Sequence, residues 1–176
     1  LVRKGYVREL LRIVIFALFR HEKLKWLIVY AGVIYAFNQA ALWFYQPYFS
    51  LSGLDIVYFG VVFASFQIVA GFSSKYAHRL ESFLGQRMSL FLLAVLVGGS
   101  FLLMSNVVML FSFSFAFLQQ FVRGFHKVVI TDYVNKLVSS DVRATVLSVQ
   151  NMFGSLLYAL IIPFAGVVAD AWGLTY

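Results

Sequence analysis

Cysteine is absent from this chain, and charged residues make up only 12% of its 176 residues. Without cysteine there is no disulfide framework, no thiol nucleophile and no cysteine ligand for zinc. Soluble domains carry about 25% charged residues, so this chain has too few charges to cover a water-exposed surface. Its 62% hydrophobic content and mean hydropathy of +0.87 predict an all-α integral membrane protein.

Catalytic and metal-binding motifs are also lacking. The sequence has no H-E-x-x-H motif and no paired carboxylates within an apolar run. His126 and Asp132 stand one residue too far apart for the H-x-x-x-x-D pattern of membrane-associated acyltransferases. We therefore expect no enzymatic activity, no catalytic residue, no cofactor and no metal site.

Charge-free runs predict five membrane-spanning helices, because a span needs about 20 apolar residues. The predicted spans are 26–46, 56–74, 88–104, 107–130 and 144–169. Pro47 is interpreted as the stop signal of the first span, and Ser105 and Asn106 separate the third span from the fourth. Together the spans form a predicted transmembrane bundle over residues 23–176.

Basic residues outside the predicted spans fall on one side of the membrane. They are Arg3, Lys4, Arg8, Arg12, Arg20, Lys23, Lys25, Lys75, Arg79, Arg87, Lys136 and Arg143. The segments 47–55, 105–106 and 170–176 on the other side hold no Lys or Arg. The positive-inside rule assigns the basic side to the cytoplasm. Topology thus explains the net charge of +7, and nucleic acid is not an expected partner.

Residues 1–22 alternate basic and apolar side chains at helical spacing. This pattern predicts a basic amphipathic helix that acts as a cytoplasmic linker. Two interpretations stay open: the helix lies at the membrane interface, or it is solvated and packs on a neighbouring domain.

Polar side chains inside predicted spans indicate either a cavity or contacts between helices, because lipid solvates them poorly. The cavity candidates are Tyr35, Asn38, Gln39, Gln67, Gln119, Gln120, Arg123 and Asn151. For Asn38 and Gln39, cavity and interhelical roles both stay open. Arg123 also has two interpretations. Counting from Val107 places it about 6 Å from the cytoplasmic face, within snorkelling reach, or it faces the cavity as a substrate or gating residue.

Two further features belong to the ends of the spans. Trp43 and Tyr45 are interpreted as part of an aromatic belt at the outer interface. Asp132 is predicted to pair with Lys136, four residues further along the same helix.

The region after Asp132 carries three motifs in succession. They are D-Y-x-N at 132–135, R-A-T-x-L-S at 143–148 and P-x-x-G-x-x-x-D at 163–170. This stretch resembles the junction of the tenth and eleventh helices of bacterial major facilitator superfamily transporters. Gly85-Gln86-Arg87 is similar to part of a cytoplasmic loop of that family.

The resemblance implies the major facilitator fold, with the chain covering the linker and helices seven to eleven and ending before the last helix. It implies secondary active transport of a small solute across a bacterial inner membrane by alternating access. The partners would be the lipid bilayer and an N-terminal six-helix half. The resemblance makes Arg87, Asp132 and Arg143 the loop or gating candidates. A non-transporting scaffold or sensor on the same fold is the alternative.

Overall fold

The computed structural model describes residues 12–173, and all regular elements in that part of the chain are helical. The main helices are α1 (Glu22–Leu51), α2 (Phe59–Asn106), α3 (Ala116–Leu137) and α4 (Arg143–Trp172). A π-helix, Phe16–Arg20, precedes α1, and 3-10 helices, Ile56–Tyr58 and Leu110–Phe115, precede α2 and α3. The prediction of an all-α protein is confirmed.

Three helices in the described range are long and apolar enough to cross a membrane: Glu22–Leu51, Ile56–Asn106 and Arg143–Ala171. The second has 51 residues, about 75 Å of ideal helix, which exceeds twice a hydrocarbon core of about 30 Å. Gly85 interrupts it with φ 74° and ψ 168°, backbone angles that glycine adopts readily. Thus α2 consists of two helices, 59–84 and 86–106.

The helix boundaries differ from the predicted spans in three places. Helix α1 continues through Pro47 to Leu51, because the buried Tyr48 and Phe49 anchor the turn that follows the proline. The predicted loop at 75–87 is helical up to residue 84, since its charged side chains do not interrupt backbone hydrogen bonding. The span predicted to begin at 107 becomes an α-helix only at Ala116.

The predicted linker helix at 1–22 falls partly outside the described residues, which begin at 12. Residues 12–20 are helical, and Ala17 is buried in one apolar cluster with Leu24 and Ile28. His21 then accepts a hydrogen bond at Nδ1 from the backbone N–H of Leu24, at 3.1 Å. This contact caps the start of α1 and joins the segment directly to the bundle.

Glycines set the closest approaches between helices. A Cβ atom at Gly124 of α3 would lie 2.1 Å from the backbone oxygen of Ala70 in α2. A Cβ atom at Gly154 of α4 would lie 2.9 Å from the ring of Tyr35 in α1. Small residues let membrane helices pack this closely. Among residues 12–173, no side-chain hydrogen bond joins α4 to another helix, so α4 is held by packing.

Cross-helix hydrogen bonds show which helix ends lie together. The Tyr48 hydroxyl donates to the backbone oxygen of Val107 at 2.9 Å, where α1 and α2 both end. The Tyr133 hydroxyl donates to Glu81 at 2.9 Å, near the middle of α2 and the end of α3. Consecutive apolar segments are therefore antiparallel, and Gly85 lies at the opposite end of the bundle from Val107.

Substituting alanine at Gly124 is expected to destabilise the protein by about 1–3 kcal/mol, because the new methyl group meets the α2 backbone. The midpoint of thermal unfolding in detergent measures the effect. Gly71→Ala is the matched control, since nothing lies within 4 Å of its Cβ position. A control that loses as much stability as Gly124→Ala would contradict this account.

Candidate functional site

A buried hydrogen-bond network joins the beginning of α3 to the last part of α2 and to the second half of α1. Gln119 is its hub, because its Oε1 accepts from the Tyr45 hydroxyl at 2.5 Å and its Nε2 donates to Ser100 Oγ at 2.9 Å. The Gln119 backbone oxygen accepts from Asn38 Nδ2 at 2.8 Å, and Gln120 Nε2 donates to the Tyr45 hydroxyl at 3.2 Å. Most of these polar groups satisfy one another in an apolar environment, whereas the buried Oε1 of Gln120 has no partner among the described residues.

The network overturns the interpretation of Tyr45 as an interfacial residue. Its side chain is 0% exposed and stacks on the ring of Phe49, so it lies inside the bundle. Trp43, by contrast, is 67% exposed on the outer surface of α1. The interpretation failed because one position along a helix decides whether an aromatic ring faces lipid or the interior.

A cavity of about 380 Å³ with a mixed polar and apolar lining lies beside this network, between α1, α3 and α4. Its polar lining is Tyr35, Asn38, Gln39, Arg123, His126, Lys127, Thr131, Gln150 and Asn151. Apolar side chains such as Ile34, Val122 and Leu147 form the remaining wall. Small-molecule sites are concave, combine apolar walls with a few placed polar groups and measure roughly 300–1,000 Å³. The cavity has the size and chemistry for a small solute.

Five of the eight cavity candidates line this space: Tyr35, Asn38, Gln39, Arg123 and Asn151. The other three lie close to it without lining it. Gln119 and Gln120 belong to the buried network, whereas Gln67 of α2 contacts Arg123.

Sequence analysis did not select four lining residues: His126, Lys127, Thr131 and Gln150. Positions 123, 127 and 131 follow one another at steps of four, which places them on one face of a helix. Extending that step beyond Lys127 would have found Thr131. No comparable spacing connects Gln150 to α3, because the two belong to different helices.

Contacts between helices place Arg123 at mid-height in the bundle. Asn38 bonds to Gln119, and His126 Nε2 donates to the backbone oxygen of Ala31 at 3.1 Å. In this antiparallel register Arg123 lies level with Ile34, about 18 Å along α1 from Glu22. Counting from Val107 gave a different depth, because residues 107–115 lie outside α3.

Arg123 has a hydrogen-bond partner and no counter-ion. Its Nη2 donates to Gln67 Oε1 at 2.6 Å. The only ion pair within residues 12–173 joins Lys136 to Asp132 at 2.6 Å. Asp132 is also the nearest acidic residue along α3, nine positions or about 14 Å away. The guanidinium charge is therefore not neutralised within the described range.

The three loop or gating candidates occupy separate places near one end of the bundle. Arg87 is exposed just after Gly85, and Arg143 is the first residue of α4. Asp132 pairs with Lys136, which confirms the predicted i, i+4 contact. In the part of the chain that the structure describes, no hydrogen bond or ion pair connects the three candidates. Their gating role stays a prediction.

No family model, curated protein or solved structure matches this chain. The chemistry of the cavity is therefore judged from its own residues. Within residues 12–173 no group of three metal-ligating side chains is present. The cavity contains hydrogen-bonding amides, an aromatic hydroxyl and two basic side chains, Arg123 and Lys127. These groups can bind and orient a polar solute by reversible contacts.

Replacing Tyr45 with Phe is expected to destabilise the protein by about 1–2 kcal/mol. The substitution removes the hydroxyl that connects Gln119 with Gln120 and leaves buried amide groups without a partner. Thermal unfolding in detergent checks this value. Tyr58→Phe, at an exposed tyrosine, is the control and should leave the midpoint unchanged. Equal midpoints for the Tyr45→Phe variant and the parent protein would argue against a stabilising network.

Proposed function

We propose that this chain is the C-terminal part of a secondary transporter of the major facilitator type, which moves a small solute by alternating access. The observation that supports it best is the cavity lined by amide and basic side chains, which extends from mid-height toward the end of the bundle where α4 begins. Transporters of this architecture bind substrate near the middle of the membrane, between helical repeats.

Five spans are proposed from the three membrane-length helices. Because Gly85 divides α2, its parts 59–84 and 86–106 each have a length suited to one crossing. Helix α3 has 22 residues, and the cavity-lining Arg123 and Lys127 lower its apolar character. The antiparallel contacts at both ends of the bundle support this count.

In the proposed mechanism the chain supplies one wall of a central site, and an N-terminal six-helix half supplies the other. Rocking of the two halves would expose the cavity to each side of the membrane in turn. The basic ends of the helices, including Arg87 and Arg143, would then lie in the cytoplasm.

The five-span topology is testable because the chain contains no cysteine. Ser82→Cys, Asn106→Cys and Ser140→Cys each place one thiol at an exposed position or a helix end. In intact cells that express the full native protein, free of other cysteines, a membrane-impermeant maleimide should label only Asn106→Cys. The other two variants should react after the membrane is permeabilised. Equal labelling of Asn106→Cys and Ser140→Cys from outside would contradict five spans.

Alternating access predicts that the cavity meets water from both sides. A thiol at Asn151→Cys should react with a neutral, water-soluble methanethiosulfonate reagent in both right-side-out and inside-out vesicles. Leu160→Cys is the matched control on α4, because Leu160 is exposed on the outer surface of the bundle and should face lipid. Reaction of Asn151→Cys from one side only, or from neither, would favour the scaffold or sensor over the transporter.

A further inference from the structure

We propose that the cavity binds its solute through an anionic group, a carboxylate or a phosphate, on a molecule that also carries a hydroxyl or N–H donor. This inference rests on the proposed transport function and specifies its substrate class. Four features support it: the charges of the lining, the depth of Arg123, the way Gln67 holds that residue, and an unpartnered amide oxygen.

The lining of the cavity is positively charged. It includes Arg123 and Lys127, and it contains no Asp or Glu. The acidic residues of the whole chain are Glu9, Glu22, Asp55, Glu81, Asp132, Asp141 and Asp170. On the three lining helices these are Glu22, Asp132 and Asp170, each at or near a helix end. A cationic solute would therefore meet repulsion and no carboxylate, whereas an anion would find two positive charges.

The depth of Arg123 makes a solute anion its most favourable partner. A charge at mid-bundle is poorly solvated, and such charges in membrane proteins face cavities or pair with an opposite charge. Lys127, one turn further along α3, is exposed and can reach water. Arg123 lies level with Ile34 and has an amide as its hydrogen-bond partner. Arg123 is half-buried and its contact with Gln67 is exposed, so an anion can reach the guanidinium. The attraction is less screened there than at the exposed Lys127.

Gln67, an exposed residue of α2, accepts a hydrogen bond from the guanidinium without neutralising it. Its Oε1 accepts from a single nitrogen of Arg123, at 2.6 Å. Arginine has five N–H donors in a planar fork that matches two oxygens of a carboxylate or phosphate. Within the described range the other guanidinium nitrogens have no acceptor. The fork is thus positioned by Gln67, a positioning residue, and keeps donors for a ligand.

Gln150 is the reason why the solute should also carry a hydroxyl or N–H donor. It lines the cavity from α4 and is only 9% exposed, and its Oε1 has no hydrogen-bond partner among the described residues. A buried acceptor without a donor is energetically unfavourable. A hydroxyl or N–H group of a bound solute would satisfy it, so the solute bridges α3 and α4 with opposite ends.

The charge of the cavity can be measured with thiol reagents of opposite sign. Gln39→Cys places a thiol in the lining. The probes are sulfonatoethyl methanethiosulfonate, an anion, and its trimethylammonium counterpart, a cation. Each rate is divided by the rate of the same reagent at Ser140→Cys, an exposed loop position. The normalised rate of the anionic reagent should then be about ten times that of the cationic reagent. A ratio of the two rates at or below one would overturn the proposal.

Substitutions on α3 assign the effect to Arg123. Arg123→Gln should lower the ratio by about tenfold, and Arg123→Lys should keep most of it. Lys127→Gln should lower it less, because water and salt screen an exposed charge. Each substitution is made together with Gln39→Cys. The thiol must first react with the neutral reagent as fast as in Gln39→Cys alone, which shows that the bundle is intact. A ratio that Arg123→Gln and Lys127→Gln both leave unchanged would contradict the assignment.

Protection by small solutes identifies the anionic group. The probes are lactate, 2-hydroxyethyl phosphate, propane-1,2-diol and ethanolamine, and the readout is the rate of the neutral reagent at Gln39→Cys. Slowing by lactate indicates a carboxylate site, and slowing by 2-hydroxyethyl phosphate indicates a phosphate site. Protection by neither anion, or equal protection by the neutral propane-1,2-diol or the cationic ethanolamine, would overturn the proposal. Two-sided reaction at Asn151→Cys would still support transport, so the two failures are distinguishable.

Discussion

The hydrogen bonds around Gln119 are the interaction on which the remaining structure depends. Lipid cannot satisfy buried amides and hydroxyls, so Tyr45, Ser100 and Asn38 must reach Gln119 from α1 and α2. That requirement fixes the register of three helices at once. Because Arg123 is one turn from Gln119, the same register sets the height of the cation in the cavity. Stability and the candidate site thus share one constraint.

Helices were predictable from the sequence because a long apolar run in lipid must form hydrogen bonds between its own backbone N–H and C=O groups. Their ends were less predictable, because each depends on contacts that are distant in sequence. Pro47 does not stop α1, since the turn after it is buried by its neighbours. At Gly85 a single residue changes the chain direction where a loop was expected. Residues 12–20 are helical as expected, and the role of residues 1–22 as a linker stays a prediction.

The candidate site was predictable in composition and less so in arrangement. Five of the eight selected polar side chains line the cavity, and these five lie on α1, α3 and α4; their role in binding stays a prediction. The sequence could not separate Gln119, which holds helices together, from Arg123, which faces the cavity. Helical spacing groups residues on one helix, whereas the division between a network and a cavity is set by neighbouring helices.

The four helices are attached to one another in two different ways. Directional polar bonds join α1, α2 and α3, whereas α4 rests against α1 through the contact of Gly154 with Gly32 and Tyr35. Packing contacts of this kind permit sliding and rolling that hydrogen bonds resist. Gln150 and Asn151 are thus held in the cavity wall by packing alone. The spacing between these two amides and Arg123 therefore depends on how closely α4 packs against α1.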